Sequence, residues 1–267
     1  MIAAIDKCSL SLLKSPMFSE NNPSPRYRQL LECYKLMHQH GVSRRSGNDV
    51  IEVDAHNTFV GRGIFKHINS IRTLIQASTA ASILDYGSGK GRQYSDDVLR
   101  GKKKVSNSLH EYWDVQDITC IDPGINDDRT ALLRNYDGVI ATNVLDLIPE
   151  EDLTWIVDML FSRANKFVYC NVADFPSKTF LPSGENARVT KRSSLWWRAL
   201  FAAAHKKYPD INYCIAFETQ RKKADGEVVE RTGYLHNCQD ISMPGEKYVT
   251  PKVTVSVGKL VPVQDDD

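Results

Sequence analysis

The sequence predicts an α/β fold, a mostly parallel sheet with helices on both faces behind a helical N-terminal extension. Three observations point there. From residue 82 onward the pattern strand, glycine-bearing turn, helix recurs, with apolar runs SILDY (82–86), DITCID (117–122), GVIATN (138–143) and KFVYCNV (166–172), which is how strands joined by crossover helices read. Between the last two runs, PEEDLTWIVDMLFSRANK is an amphipathic helix, with Leu153, Ile156, Val157, Leu160, Phe161 and Ala164 at helical spacing. The first 80 residues carry helical spacing with little strand signal. The expected division is an extension or lid over residues 1–80 and the α/β domain over 81–267.

The elements follow in order. Arg26–His40 is helical through Leu30, Leu31, Tyr34 and Met37, and Gly41 with VSRRSGND breaks it. VIEVD (50–54) is a short strand-like interruption, and a second helix runs from about Ile64 to Ala77. A strand then ends at Asp85, and a helix is expected from near Arg92 after a turn with glycines at 87, 89 and 91. Pro149 suits a first helical turn, and Glu150, Glu151 and Asp152 complement its positive end. A Trp-rich helix (Leu195–Lys207) precedes the strand NYCIAFET (212–219). The charged run RKKADGEVVER reads as an excursion before KVTVSVGKLV (252–261), which is expected to close the sheet as an antiparallel edge.

Composition narrows the partners. Hydrophobic residues at 42% and charged residues at 25% are ordinary for a globular chain. A formal net charge of +1 supplies no broad basic field for nucleic acid or an anionic membrane. No apolar run approaches the roughly 20 residues of a membrane helix, and MIAAIDKCSLSLLKSP is broken by Asp6, Lys7 and Lys14 and fits a signal peptide poorly. A cytoplasmic protein is expected. The six cysteines form no CxxC and no Cys/His cluster of zinc-ligand spacing, so no metal is expected; Cys120, Cys170 and Cys214 fall in strand-like runs and read as small buried hydrophobes.

The motif with the most chemistry is ILDYGSGKG, Ile83–Gly91. Its glycines permit a sharp turn and close approach of a ligand to the main chain. A dinucleotide turn would require glycine at 92, where Arg92 stands, and a P-loop would require Ser or Thr after Lys90, where Gly91 stands. A carboxylate two residues before the first glycine repels phosphate and suits a ligand bearing an ammonium group.

With CIDPG ending the next strand and DGVIATNVLDLIPEEDL after it, this stretch resembles the class I S-adenosylmethionine-dependent methyltransferases over about residues 82–172. It is also similar to bacterial and phage methyltransferases that carry D-Y-G-x-G-K-G and a later L-P-x-G-x-N-A ahead of W-W, here Asp85–Gly91, LPSGENA (181–187) and Trp196–Trp197. The resemblance implies a Rossmann-like, seven-stranded type of sheet and S-adenosyl-L-methionine as cofactor. It implies that Asp85 and the Gly87–Ser88–Gly89 turn, with Gly91, hold the amino-acid end. Asp122 would accept the ribose hydroxyls, a role that also matches an acid at a strand's carboxyl end, and Asn143 and Val144 would border the methyl. On that reading Asp122 serves the ligand, and its loss leaves unliganded stability nearly unchanged; as a turn initiator before Pro123 it would matter to the fold.

Three departures stand beside the resemblance. Gly91 and Asp122 lie 31 positions apart, against about 20 in such a unit, the excess falling in the polar GKKKVSNSLHEYWD. Only 15 positions separate Asp122 from Asp137, too few for the usual helix, strand and helix, so the spacing does not place the adenine-holding acid that the resemblance implies; Asp127 and Asp128 are the candidates in reach. The E-H-I-P of many relatives is DLIP here, without its histidine. Asp146 is then the candidate catalytic base, or a helix N-cap; Asp174 follows a strand end, and His56, His67, His205 and His236 are further bases.

The loop after the third strand reads NVLD, not the D/N-P-P-Y/F or P-C turns of DNA methyltransferases, so no nucleic-acid acceptor is expected. A small polar acceptor is, plausibly a saccharide or its conjugate, held between a lid at HNTFVGRG (56–63) and a wall at SGENARVTKRSSLWW. Trp196 and Trp197 would stack on a sugar or fill core space. The alternative is an S-adenosylmethionine-binding subunit or regulator without activity.

Overall fold

A computed structural model of the chain describes residues 18–47, 49–125, 129–224, 226–238 and 241–243. Helix α1 (Pro25–His40) starts where Ser24 caps the Tyr27 N–H with Pro25 in the first turn, and stops at Gly41 in a positive-φ conformation. The segment after it is not a simple break. Strand β1 (Val42–Ser46) pairs antiparallel with β2 (Asp49–Val53), which is the strand-like VIEVD run. Helix α2 covers Ile68–Ser78, and the first turn expected for it, Arg62–Lys66, is a separate 3-10 helix.

Strand β3 (Ser82–Tyr86) runs into the glycine turn. The helix expected from near Arg92 is instead one 3-10 turn, Arg92–Tyr94, because Gln93 and Tyr94 are drawn inward by hydrogen bonds to Asp85. The polar stretch that follows holds a hairpin, β4 (Val98–Arg100) with β5 (Lys103–Ser106), and helix α3 (Leu109–Trp113). Trp113 of α3 is fully buried and its Nε1–H donates to the Ile68 carbonyl at 3.0 Å.

The remaining elements are β6 (Asp117–Ile121), β7 (Tyr136–Ala141), α4 (Glu150–Arg163), β8 (Ala164–Ala173), α5 (Ser194–His205), β9 (Asn212–Lys222) and β10 (Val228–His236). Among the described residues the central sheet has six strands in the order β10-β9-β8-β7-β3-β6. All neighbours are parallel except β10, which runs antiparallel to β9. The charged excursion is therefore the turn and outer strand of a hairpin, and β10 is a mostly exposed edge; charges on such an edge deter pairing with other chains. The KVTVSVGKLV run lies outside the described residues.

Two packed layers cover the sheet. Ile71, Leu74 and Ile75 of α2 and Trp113 of α3 bury Ile83, Ile140, Phe167, Tyr169, Cys214 and Ala216 on one face. Leu153, Ile156 and Leu160 of α4, with Trp197 and Phe201 of α5, bury Leu84, Val139, Val168, Cys170 and Ile215 on the other. The two lists alternate along each strand, as the period of two requires. Trp197 thus fills core space, and α2 belongs to the same core as the sheet although it falls within the first 80 residues. Cys170 and Cys214 are buried as expected, but Cys120 is exposed, because β6 is the opposite edge of the sheet.

Candidate functional site

Chain order reverses beside β3: the next sheet strand, β6, lies on one side of it and β7 on the other. In open α/β sheets ligands bind outside the carboxyl ends of the strands at such a point. A cavity of about 530 Å³ lies there, with Asp85, Ser88, Asp122, Asn143, Arg188 and Glu218 among its lining residues.

The turn after β3 is held by hydrogen bonds at every residue. Gly87 and Ser88 donate their backbone N–H groups to the Ile121 carbonyl at 2.7 and 3.2 Å. Gly89 N–H donates to Asp122 Oδ2 at 2.7 Å, Lys90 N–H to the Phe59 carbonyl at 2.8 Å, and Gly91 N–H to the Ser88 carbonyl at 3.4 Å. A Cβ at Gly89, whose φ is +60°, would overlap the Phe59 carbonyl, and one at Gly87 would overlap the Val144 side chain. The glycines serve close packing of the 56–63 segment and of Val144 against the turn.

Lys90 does not face the cavity as a phosphate-binding lysine would. Its ammonium donates to the carbonyls of Ala55 at 2.5 Å, Thr58 at 2.8 Å and His38 at 3.4 Å. It ties α1 and the 55–59 segment down onto the glycine turn. Burial pushes its pKa below the ordinary lysine value.

Asp85 is buried at the end of β3, 1% exposed. Its Oδ2 accepts from Tyr94 Oη at 2.8 Å and Gln93 Nε2 at 3.2 Å, while Oδ1 has no partner among the described residues. Burial pushes its pKa up to about 7, with the nearby Asp122 charge adding to the rise. Asp122 accepts from the Gly89 and Gly124 N–H groups at 2.7 and 2.8 Å, and His38 Nε2 stands 3.7 Å from its Oδ1.

Asn143, in a left-handed conformation with φ of 58°, pairs reciprocally with Asn171 of β8. Its N–H donates to Asn171 Oδ1 at 2.7 Å and its Oδ1 accepts from Asn171 Nδ2 at 3.0 Å. Asp85, Gly87, Ser88, Gly89, Asp122, Asn143 and Val144 all line the cavity; Gly91 does not. Asp127 and Asp128 lie outside the described residues.

Asp146 is also absent from the cavity wall. It is 1% exposed and accepts from Arg188 Nε at 2.6 Å and from the Ala173 N–H at 3.1 Å. Arg188, which does line the cavity, also donates Nη1 to the Phe175 carbonyl and stacks on the Phe175 ring. Burial raises the Asp146 pKa against the opposing pull of Arg188. The carboxylate positions an arginine. Asp174, His56, His205, His236, Trp196 and Trp197 do not line the cavity either.

Sequence reading passed over Arg188 and Glu218, both of which line the cavity. Glu218 carried a signal, a lone acid closing the apolar NYCIAFET run. Arg188, inside a polar loop, carried none. Among the described residues no group of three or more His, Cys, Asp or Glu is arranged to hold a metal ion, and no helix is long and apolar enough to cross a membrane. Comparison with models of protein families and with curated proteins finds no match to this chain.

Proposed function

We propose that the chain is an S-adenosylmethionine-dependent methyltransferase on a Rossmann-like sheet, acting on a small polar acceptor such as a saccharide or its conjugate. One observation carries this reading. Asp85 and Asp122 end two neighbouring parallel strands and bracket a glycine turn whose N–H groups from Gly87 to Gly91 already have protein acceptors. A phosphate finds no vacant amide donor there, and two carboxylates oppose it. A ligand with an ammonium group and a pair of hydroxyls fits: Asp85 Oδ1 is a buried acceptor without a donor among the described residues, and each Asp122 oxygen has a lone pair beyond its backbone bond.

S-adenosylmethionine carries both features, and when bound it supplies a methyl group on a positively charged sulfur. Asp85 and Ser88 would hold its amino-acid end, Asp122 its ribose, and Asn143 and Val144 the neighbourhood of the methyl. Positioning does most of the work in such a transfer. The near-zero net charge and a cavity sized for small molecules favour a small acceptor.

Titration calorimetry tests the reading. S-adenosylmethionine and S-adenosylhomocysteine should bind without added metal, and Asp85→Asn should weaken both at least tenfold. Saturable NAD binding in competition with them would overturn the assignment. Labelled methyl groups entering total DNA or RNA would overturn the acceptor class.

A further inference from the structure

Register and the period of two place Asp85, Tyr169, Asn171 and Glu218 on the α2-covered face of the sheet. Glu218, inside β9, pairs with Ala173 at the last position of the β8–β9 ladder, and its side chain is 9% exposed. Among the described residues four carboxylates line the cavity: Asp85, Asp122, Glu218 and Glu230. Three are committed. Asp85 accepts from Tyr94 and Gln93, Asp122 from two backbone amides, and Glu230 from Lys66 and Gln220. Glu218 is the lining carboxylate that accepts no hydrogen bond among the described residues.

Behind it stands a short chain of buried groups. His67, 2% exposed at the start of α2, brings Nε2 to 3.4 Å from Glu218 Oε1. That nitrogen has no hydrogen-bond partner among the described residues, while Nδ1 lies 2.9 Å from the Tyr169 hydroxyl. The Tyr169 hydroxyl and the Glu218 carboxylate thus stand near opposite nitrogens of one buried imidazole. A histidine buried within 3.4 Å of a carboxylate on the cavity wall limits where that carboxylate can sit.

We propose that Glu218 is the general base of the transfer and that His67, backed by Tyr169, is its positioning residue; this rests on the methyltransferase reading. β9 is two strands from β7, whose end leads into Asn143, a separation of about 10 Å. A small acceptor ring fits between them. The acceptor O–H proton passes to a Glu218 carboxylate oxygen as the O–CH₃ bond forms. The S–CH₃ bond of the sulfonium breaks, and its electron pair stays on sulfur. The products are a methyl ether, S-adenosylhomocysteine and protonated Glu218.

The test compares wild type with Glu218→Gln, using methyl-tritiated S-adenosylmethionine and the low-molecular-mass fraction of a cell extract as acceptor. Turnover should fall by about 100-fold or more, with S-adenosylhomocysteine affinity and thermal midpoint unchanged. Formate should restore turnover to Glu218→Gly, and His67→Asn should lower kcat with KM unmoved. Independently of turnover, carbodiimide coupling of glycine methyl ester should label Glu218 but not Asp146. Equal turnover by wild type and Glu218→Gln, lost S-adenosylhomocysteine affinity in that variant, or an unlabelled Glu218 overturns the base role and leaves the methyltransferase reading standing. Failure of wild type to bind S-adenosylhomocysteine, or to transfer any methyl group once it is bound, overturns that reading and the base role with it.

Discussion

The backbone N–H of Gly89 donates to Asp122 Oδ2 at 2.7 Å, so the acid that follows β6 fastens the turn that follows β3. A carboxylate accepting two backbone amides is part of the fold before any ligand arrives. Asp122 therefore has a place in the fold beside the ribose-binding role proposed for it.

Asp122→Ala should lower the thermal midpoint of the unliganded protein as well as ligand affinity. Each charge-assisted hydrogen bond contributes roughly 1.5–3 kcal/mol, and each kcal/mol shifts the midpoint of a chain this size by about 2–4 °C. Asp122→Asn keeps one acceptor oxygen and should fall between the two. An unchanged midpoint in the Ala variant would show that the turn holds itself.

Asp85 should make stability fall with rising pH. Its folded pKa of about 7 lies above the ordinary value of 3.8, so the folded state holds the proton more tightly. Its contribution is most favourable below about pH 4 and is lost progressively as pH rises to about 7, a change of up to about 4 kcal/mol. Asp85→Asn removes that dependence, and denaturant titrations should show it gaining on wild type between pH 5 and pH 8. A cationic ligand needs the ionised acid, so its affinity should rise across the same window.

Arg188→Met should destabilise by about 3–5 kcal/mol, because it leaves the Asp146 carboxyl in the interior without its charge partner. The double variant Asp146→Asn/Arg188→Met should recover most of that loss in urea unfolding. A single variant as stable as wild type would mean that the pair contributes nothing to the fold.

Lys90→Met should loosen the segment packed on the glycine turn. The ammonium donates to the Ala55 and Thr58 carbonyls, and a methionine cannot replace those bonds. Amide exchange over residues 54–61 should speed up while exchange in β7 and β8 stays slow. Uniform acceleration across the sheet would place Lys90 in the global core instead.

Amphipathic α4 was legible because its signal is local: apolar residues three and four apart, Pro149 and three acids in the first turn. The glycine turn was legible for the same reason, since Asp85, Gly87 and Gly89 occupy adjacent positions on a strand and its turn. Local patterns misread the stretch after Gly91, where Gln93 and Tyr94 turn inward to Asp85 and a 3-10 turn replaces the helix. They also misread β10, whose charges look like a loop and belong to an edge strand.

Partner choice was decided only in three dimensions. The sequence by itself determined that Asp85 and Asn143 stand where strands give way to turns, because strand period and turn chemistry act between near neighbours. Sheet order decided what each meets. Asp146 finds Arg188 42 positions away, Lys90 finds carbonyls in the segment before α2, and Glu218 comes to His67 because β9 and the start of α2 share one face of the sheet. Those meetings rest on long-range strand pairing, which brings distant residues together without leaving a spacing in the sequence to read.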